Sequence, residues 1–145
     1  MGLQASGKTV FRKAHFLGPH VVVSLDELGK GENLREREAQ LLGEALAARR
    51  EIVVDNTNPT REDRRRYIEA AQAAGYQVSG YYFRSDLKES LARNAARPAE
   101  ERLPDLALKA TIKKLERPTR DEGYAELYYV HINRRGGFDV DEYRE

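Results

Sequence analysis

The sequence contains no cysteine, which excludes both a disulfide framework and a cysteine-ligated zinc site. Histidine is scarce. His15, His20 and His131 are dispersed without the spacing of a metal-ligand set and read as ordinary surface or structural residues. No apolar run approaches the length needed to cross a bilayer, and Met1 is followed directly by a glycine-bearing loop rather than by a signal peptide. The expectation is a soluble, cytoplasmic protein without a membrane partner. An excess of one charge is also missing: 25 Lys and Arg face 24 Asp and Glu, so no global basic field announces a polyanionic partner. Basic residues do cluster locally, at Arg61, Arg64, Arg65 and Arg66, at Arg93, Arg97 and Arg102, and at Lys113, Lys114, Arg117 and Arg120. Such runs usually mark solvated helix faces. The 145 residues suffice for one domain with a sizeable core.

What is present begins at once. Gly2-Leu3-Gln4-Ala5-Ser6-Gly7-Lys8-Thr9 fits the phosphate-loop pattern G-x-x-x-x-G-K-[ST]. Its glycines let the backbone curl so that successive N–H groups, including those of Gln4, Ala5 and Ser6, point inward at phosphate oxygens. In this pattern Lys8 reaches the β- and γ-phosphates and the Thr9 hydroxyl ligates Mg²⁺. A helix starting near Gly7 aims its positive end at the same anion. ATP and Mg²⁺ are the expected ligands.

Beyond the loop, short β-branched runs alternate with helical periodicity, which predicts an α/β domain with a mainly parallel sheet. Helices are expected over about 7–16, 32–50, 60–74, 86–97 and 105–115, and strands over 21–24, 52–54, 77–83 and 126–132. Residues 1–133 form the expected domain, and 134–145, glycine-bearing and highly charged, read as a loose tail. In open α/β sheets ligands bind beyond the carboxyl ends of strands. Asp26 and Asp55 both follow apolar strands and are thereby placed to face the loop. One can orient Mg²⁺ through its water shell, and the other can accept the proton of an attacking hydroxyl.

Asp55-Asn56-Thr57-Asn58-Pro59, followed by Arg64 and Tyr67, resembles a segment of the 5′-hydroxyl polynucleotide kinases. Ser24-Leu25-Asp26-Glu27-Leu28-Gly29 is similar to the segment that carries their catalytic aspartate, and Arg93-Asn94-Ala95-Ala96-Arg97 to their arginine-bearing lid. Arg117-Pro118-Thr119 with Glu122-Gly123-Tyr124 resembles a C-terminal element of the kinase module in polynucleotide kinase–phosphatases. The resemblance implies a three-layer αβα phosphate-loop fold with a helical lid near 86–115. It implies that Lys8 and Thr9 hold ATP–Mg²⁺ and that Asp26 deprotonates the 5′-hydroxyl of DNA or RNA. Asp55 and Asn58 would organise the phosphate site, and Arg64 would contact phosphate or the acceptor strand. Arg97, with Arg93, would cover the triphosphate. Two positions depart from the family pattern: Leu25 stands where many relatives carry arginine, and Gly29 where some do, although the animal-type segment also has Gly there. A kinase for a small acceptor such as a sugar, nucleoside or nucleotide-sugar therefore stays open, as does an ATP-binding module without turnover. In this fold a central strand precedes the loop, between those ending at Val54 and Phe83. The sequence before Gly2 does not supply one, and the expectation is a domain lacking that strand because its start was assigned too late.

Overall fold

The computed structural model describes all 145 residues. It is built of α1 (Lys8–His15), β1 (Val21–Val23), α2 (Leu25–Leu28), α3 (Leu34–Ala47), β2 (Ile52–Val54), α4 (Arg61–Ala73), β3 (Ser79–Phe83), α5 (Leu87–Ala95), α6 (Asp105–Lys114), β4 (Glu126–Ile132) and β5 (Phe138–Glu142). Two 3₁₀ turns, Ala99–Glu101 and Arg120–Glu122, complete it. The expected helices and strands are all present, most trimmed at their ends. Local capping explains several boundaries. Thr60 and Asp63 form a reciprocal capping box at the start of α4, and Asp86 accepts the Glu89 amide at the start of α5.

Strand pairing departs from a single sheet. β1 and β2 pair in parallel with Val21 opposite Ile52. β3 and β4 pair in parallel with Ser79 opposite Glu126. These form two separate sheets, β1-β2 and β3-β4-β5. Each has its own apolar cluster. Val23 packs with Leu42 and Leu46 of α3 and Tyr67 of α4, whereas Phe11 of α1 packs on Phe83 and Val130. On the other face of β3, Tyr82 joins Leu127 and Tyr143.

Between the sheets, Met1 makes one rung of a parallel ladder. Its amino group donates to the Tyr81 carbonyl at 2.9 Å and its carbonyl accepts the Phe83 amide at 2.9 Å. The next amide, Gly2, crosses to the Thr57 carbonyl on the β2 side at 2.8 Å. Behind that rung lies a cavity of about 850 Å³, lined on one side by Val53 and Val54 and on the other by Ser79 and Tyr81. β2 and β3 thus do not pair with each other, and Met1 and Gly2 lie between them, at the position expected for the strand before the loop.

The reading of 134–145 as a loose tail is corrected. Residues 138–142 form β5, antiparallel to β4, with Phe138 opposite Ile132. Asn133 closes the hairpin: its side-chain oxygen accepts the amides of Arg135 and Gly137. Phe138 then reaches Phe11, ring centroids 5.2 Å apart.

Candidate active site

The loop from Gly2 to Gly7 owes its curl to positive φ at three residues: 144° at Gly2, 58° at Ala5 and 97° at Gly7. Gly2 has no room for a side chain, because a Cβ there would lie 3.0 Å from the Cβ of Phe83. A Cβ on Gly7 would press on Phe138 and Ile132, at 3.0 and 3.1 Å. The hairpin taken for a tail therefore supports the phosphate loop from behind.

Lys8 opens α1, and its Nζ donates back to the Leu3 carbonyl at 2.7 Å. Burial holds its pKa down at about 8 against the field of Asp55, which raises it, while Arg97 adds repulsion and Asp26 attraction. Asp55, Arg97 and Asp26 thus all bear on the charge of Lys8. The loop also contains polar side-chain atoms that the protein leaves without partners, Gln4 Oε1 and Ser6 Oγ. The orphaned Ser6 hydroxyl, which can donate, a curled backbone and a sequestered cation suit a polyanion, so the residues present fit a nucleoside triphosphate. The oxygen donors for Mg²⁺ are adjacent: the Thr9 hydroxyl donates to Asp55 Oδ2 at 3.0 Å, a hard-ligand pair suited to a small divalent cation.

The two lid helices sit against the loop. Arg93 Nη1 donates to the Ala5 carbonyl at 3.2 Å, and Gln4 Nε2 donates to Thr111 of α6 at 2.9 Å. Asn94, buried in α5, clamps the connection by exchanging two hydrogen bonds with the Leu103 backbone.

Asp26 is exposed in α2, a helix capped by Ser24. That helix was not foreseen. Its start is fixed by Asn56, whose side-chain oxygen accepts the Leu25 amide at 3.0 Å. Asn56 Nδ2 in turn donates to Glu38 Oε2 at 2.9 Å. Glu38, only 2 % exposed, also accepts the Tyr67 hydroxyl at 2.7 Å, and burial with this bond pushes the Tyr67 pKa up to about 12. Of the Asn-Thr-Asn triplet, Asn56 is thus the residue that ties the site together. Asn58 sits at φ 42° and offers its carbonyl to Arg64. Sequence reasoning passed over Glu38 and Arg12, because a lone charged residue inside a helix gives no signal of the partner it will meet.

Arg64 requires a correction. Its guanidinium is not presented to an acceptor. It forms a forked pair with Glu122, at 2.7 and 3.1 Å, and donates to the carbonyls of Asn58, Pro59 and Glu116. Both partners of the pair are 3 % exposed. Arg61, Arg65 and Arg66 pair with Asp121, Glu62 and Asp63 on the α4 surface, as the solvated-face reading expects. The sheet tyrosines also behave as packing residues: Tyr81 and Tyr82 pack within the β3–β4 surface against Tyr128 and Tyr129 with tilted rings.

Curled loop, strand-end carboxylate and flanking lid define a P-loop NTPase-like domain. A family model described as an AAA domain matches residues 1–118, and the chain belongs to that family. Over 92 residues it is 33 % identical to the bifunctional polynucleotide phosphatase/kinase of Schizosaccharomyces pombe, an alignment covering 60 % of this chain and 22 % of the relative. The chain thus spans about a fifth of that relative's length. Two solved structures share the fold. A gluconokinase from Sinorhizobium meliloti aligns with a TM-score of 0.61 at 20 % identity, covering 89 % of this chain and 79 % of that one. Chaetomium thermophilum Kti12, solved with ADP-AlF3, aligns with a TM-score of 0.66 at 15 % identity, covering 94 % and 90 %. The chain is therefore a kinase-like, nucleotide-binding P-loop domain. None of its helices is long and apolar enough to cross a membrane.

Proposed function

We propose that this domain transfers the γ-phosphoryl group of ATP to the 5′-hydroxyl of a DNA or RNA end. The observation that carries the reading is the meeting of loop, strand end and lid: Thr9 donates to Asp55 Oδ2 at 3.0 Å and Arg93 donates to the Ala5 carbonyl at 3.2 Å. It supports a site in which the phosphate loop is flanked by a carboxylate on one side and an arginine-bearing helix on the other. The sequence match to a polynucleotide phosphatase/kinase supports the choice of acceptor.

In this reading the loop amides and Lys8 bind the β- and γ-phosphates. Thr9 and Asp55 would hold Mg²⁺, which supplies charge neutralisation on the phosphate oxygens. Asp26 takes the proton of the acceptor hydroxyl as its oxygen bonds to the γ-phosphorus. The bond from that phosphorus to the bridging oxygen breaks, and ADP leaves with the electron pair. Arg97 and Arg93 stabilise charge spread over the transferring group. Catalysis of this kind is positioning and electrostatics more than covalent chemistry.

A second reading has specific support. Leu25 and Gly29 offer no cation beside Asp26, and Arg64 is committed to Glu122. A kinase for a small hydroxyl acceptor needs none of these contacts, and the gluconokinase fold covers most of the chain. The deciding assay incubates the protein with γ-labelled ATP and either 5′-hydroxyl oligonucleotides or a panel of sugars and nucleosides. Label on the oligonucleotide, reduced at least ~100-fold by Asp26→Asn and by Lys8→Ala, is the expected outcome. Label appearing only on small acceptors selects the second reading. ATP binding with transfer to neither leaves a nucleotide-binding module and removes both.

A further inference from the structure

α2 carries Asp26 but is a poor candidate for holding it still. It spans four residues, Leu25–Leu28, and buries none of them. A single helical turn is unstable alone, because nucleation fixes several residues for very few hydrogen bonds. Its orientation must come from polar ties to neighbours. Asn56 fixes the first amide, and Arg37 Nη2 reaches the Leu28 carbonyl at the far end, at 3.3 Å. The remaining tie, at the middle of the turn, comes from α1.

Arg12 lies one helical turn beyond Lys8 and Thr9, so its side chain shares their face of α1. It is one of two residues that α1 buries, with a side chain 9 % exposed. Its Nε donates to Asp55 Oδ2 at 2.9 Å. Its Nη2 donates to Glu27 Oε1 at 3.1 Å. Thr9 donates to the same Oδ2, so that oxygen is committed to two protein donors. One guanidinium therefore bridges the carboxylate that flanks Thr9 to the residue next to Asp26.

We propose that Arg12 is a positioning residue that couples the nucleotide side of the site to its acceptor side. It fixes the rotamer of Asp55 through Nε and the pitch of α2 through Nη2, without touching the reacting atoms. The role is specific to a forked cation. A lysine ammonium is compact and lacks the planar spread needed to span two carboxylates held by different elements. The proposal rests on the phosphoryl-transfer reading for its catalytic consequence, and on the geometry alone for its effect on α2.

The test compares Arg12→Lys, Glu27→Gln and the double variant with the unmodified protein by three readouts. Amide hydrogen exchange is followed at residues 24–29, with α4 as internal control. Affinity for a fluorescent ADP analogue is measured with and without Mg²⁺, and kcat and KM are measured for the acceptor that the labelling assay identifies. Arg12→Lys should speed exchange at 24–29 at least tenfold while α4 is unchanged. Analogue affinity without Mg²⁺ should stay within about twofold, and kcat should fall tenfold or more with the ATP KM within about threefold. Glu27→Gln, at a side chain 54 % exposed, cannot unfold the core and should give the same local acceleration. The double variant should be no worse than the more affected single variant, because both break one bridge. Unchanged exchange at 24–29 in either single variant overturns the proposal. So do additive effects in the double variant. If the unmodified protein phosphorylates no acceptor, the functional reading fails, while exchange still decides whether Arg12 holds α2.

Discussion

At the scale of single residues, the chemistry was more legible than the scaffolding that aims it. Lys8, Thr9, Asp26 and Asp55 stand out as candidates because phosphate and metal binding restrict which residue types will serve at those spacings. Arg64 belonged to a segment matching a family of kinases, yet its guanidinium makes five hydrogen bonds, to Glu122 and three backbone carbonyls. A sequence records that an arginine is present and not which carboxylate reaches it first. Glu122 stands 58 residues away along the chain and meets Arg64 only through the tertiary fold. The exposed-face reading failed here for that reason, whereas it held for Arg61, Arg65 and Arg66. A buried ion pair is costly to split, because the survivor stays desolvated. Arg64→Ala should lower unfolding stability by about 3–5 kcal/mol in urea titration. Arg64→Met/Glu122→Leu, which removes both charges while keeping volume, should regain at least half of that loss. If the double variant binds acceptor with a KM within about twofold of the parent, Arg64 makes no acceptor contact. A tenfold rise in KM would restore it to the substrate site.

At the scale of elements, the helices and buried strands followed from period and capping, and two departures follow from weak or misleading local signals. α2 is one turn long, below the length at which periodicity can be read. Its N-cap, Ser24, was visible but looked like the end of a strand. The β5 hairpin carried clearer marks: Phe138 and Val140 alternate with Asp139 and Asp141 after a Gly136-Gly137 turn, the period of a half-exposed strand. Its charge and terminal position outweighed that alternation. The structure gives the hairpin a task, since Phe138 packs on Phe11 and leaves no space for a side chain at Gly7. Phe138→Ala should therefore cost about 1.5–3 kcal/mol of stability, less than a fully buried phenylalanine. It should also weaken nucleotide binding several-fold by loosening the loop. Thermal unfolding and titration with a fluorescent ADP analogue measure the two effects separately. Loss of stability with unchanged nucleotide affinity would show that β5 supports the core and not the loop.

At the scale of the whole molecule, the break between β2 and β3 divides the core. Two parts, each with its own apolar cluster, meet across a cavity of about 850 Å³, where Met1 bonds to Tyr81 and Phe83 and Gly2 to Thr57. A segment of about five β-branched residues joined before Met1 should raise stability, because it extends the ladder on Tyr81 and Phe83 and buries apolar side chains between the sheets. Each such side chain contributes about 1.5–3 kcal/mol against about 1–2 kcal/mol of backbone ordering, so the net gain is a few kcal/mol. Urea titrations with and without the added segment measure the difference, and the extended form should be the more stable. An extended form no more stable than the parent would mean that the space between the sheets does not accept a strand. The two sheets would then be held as they stand by their separate cores.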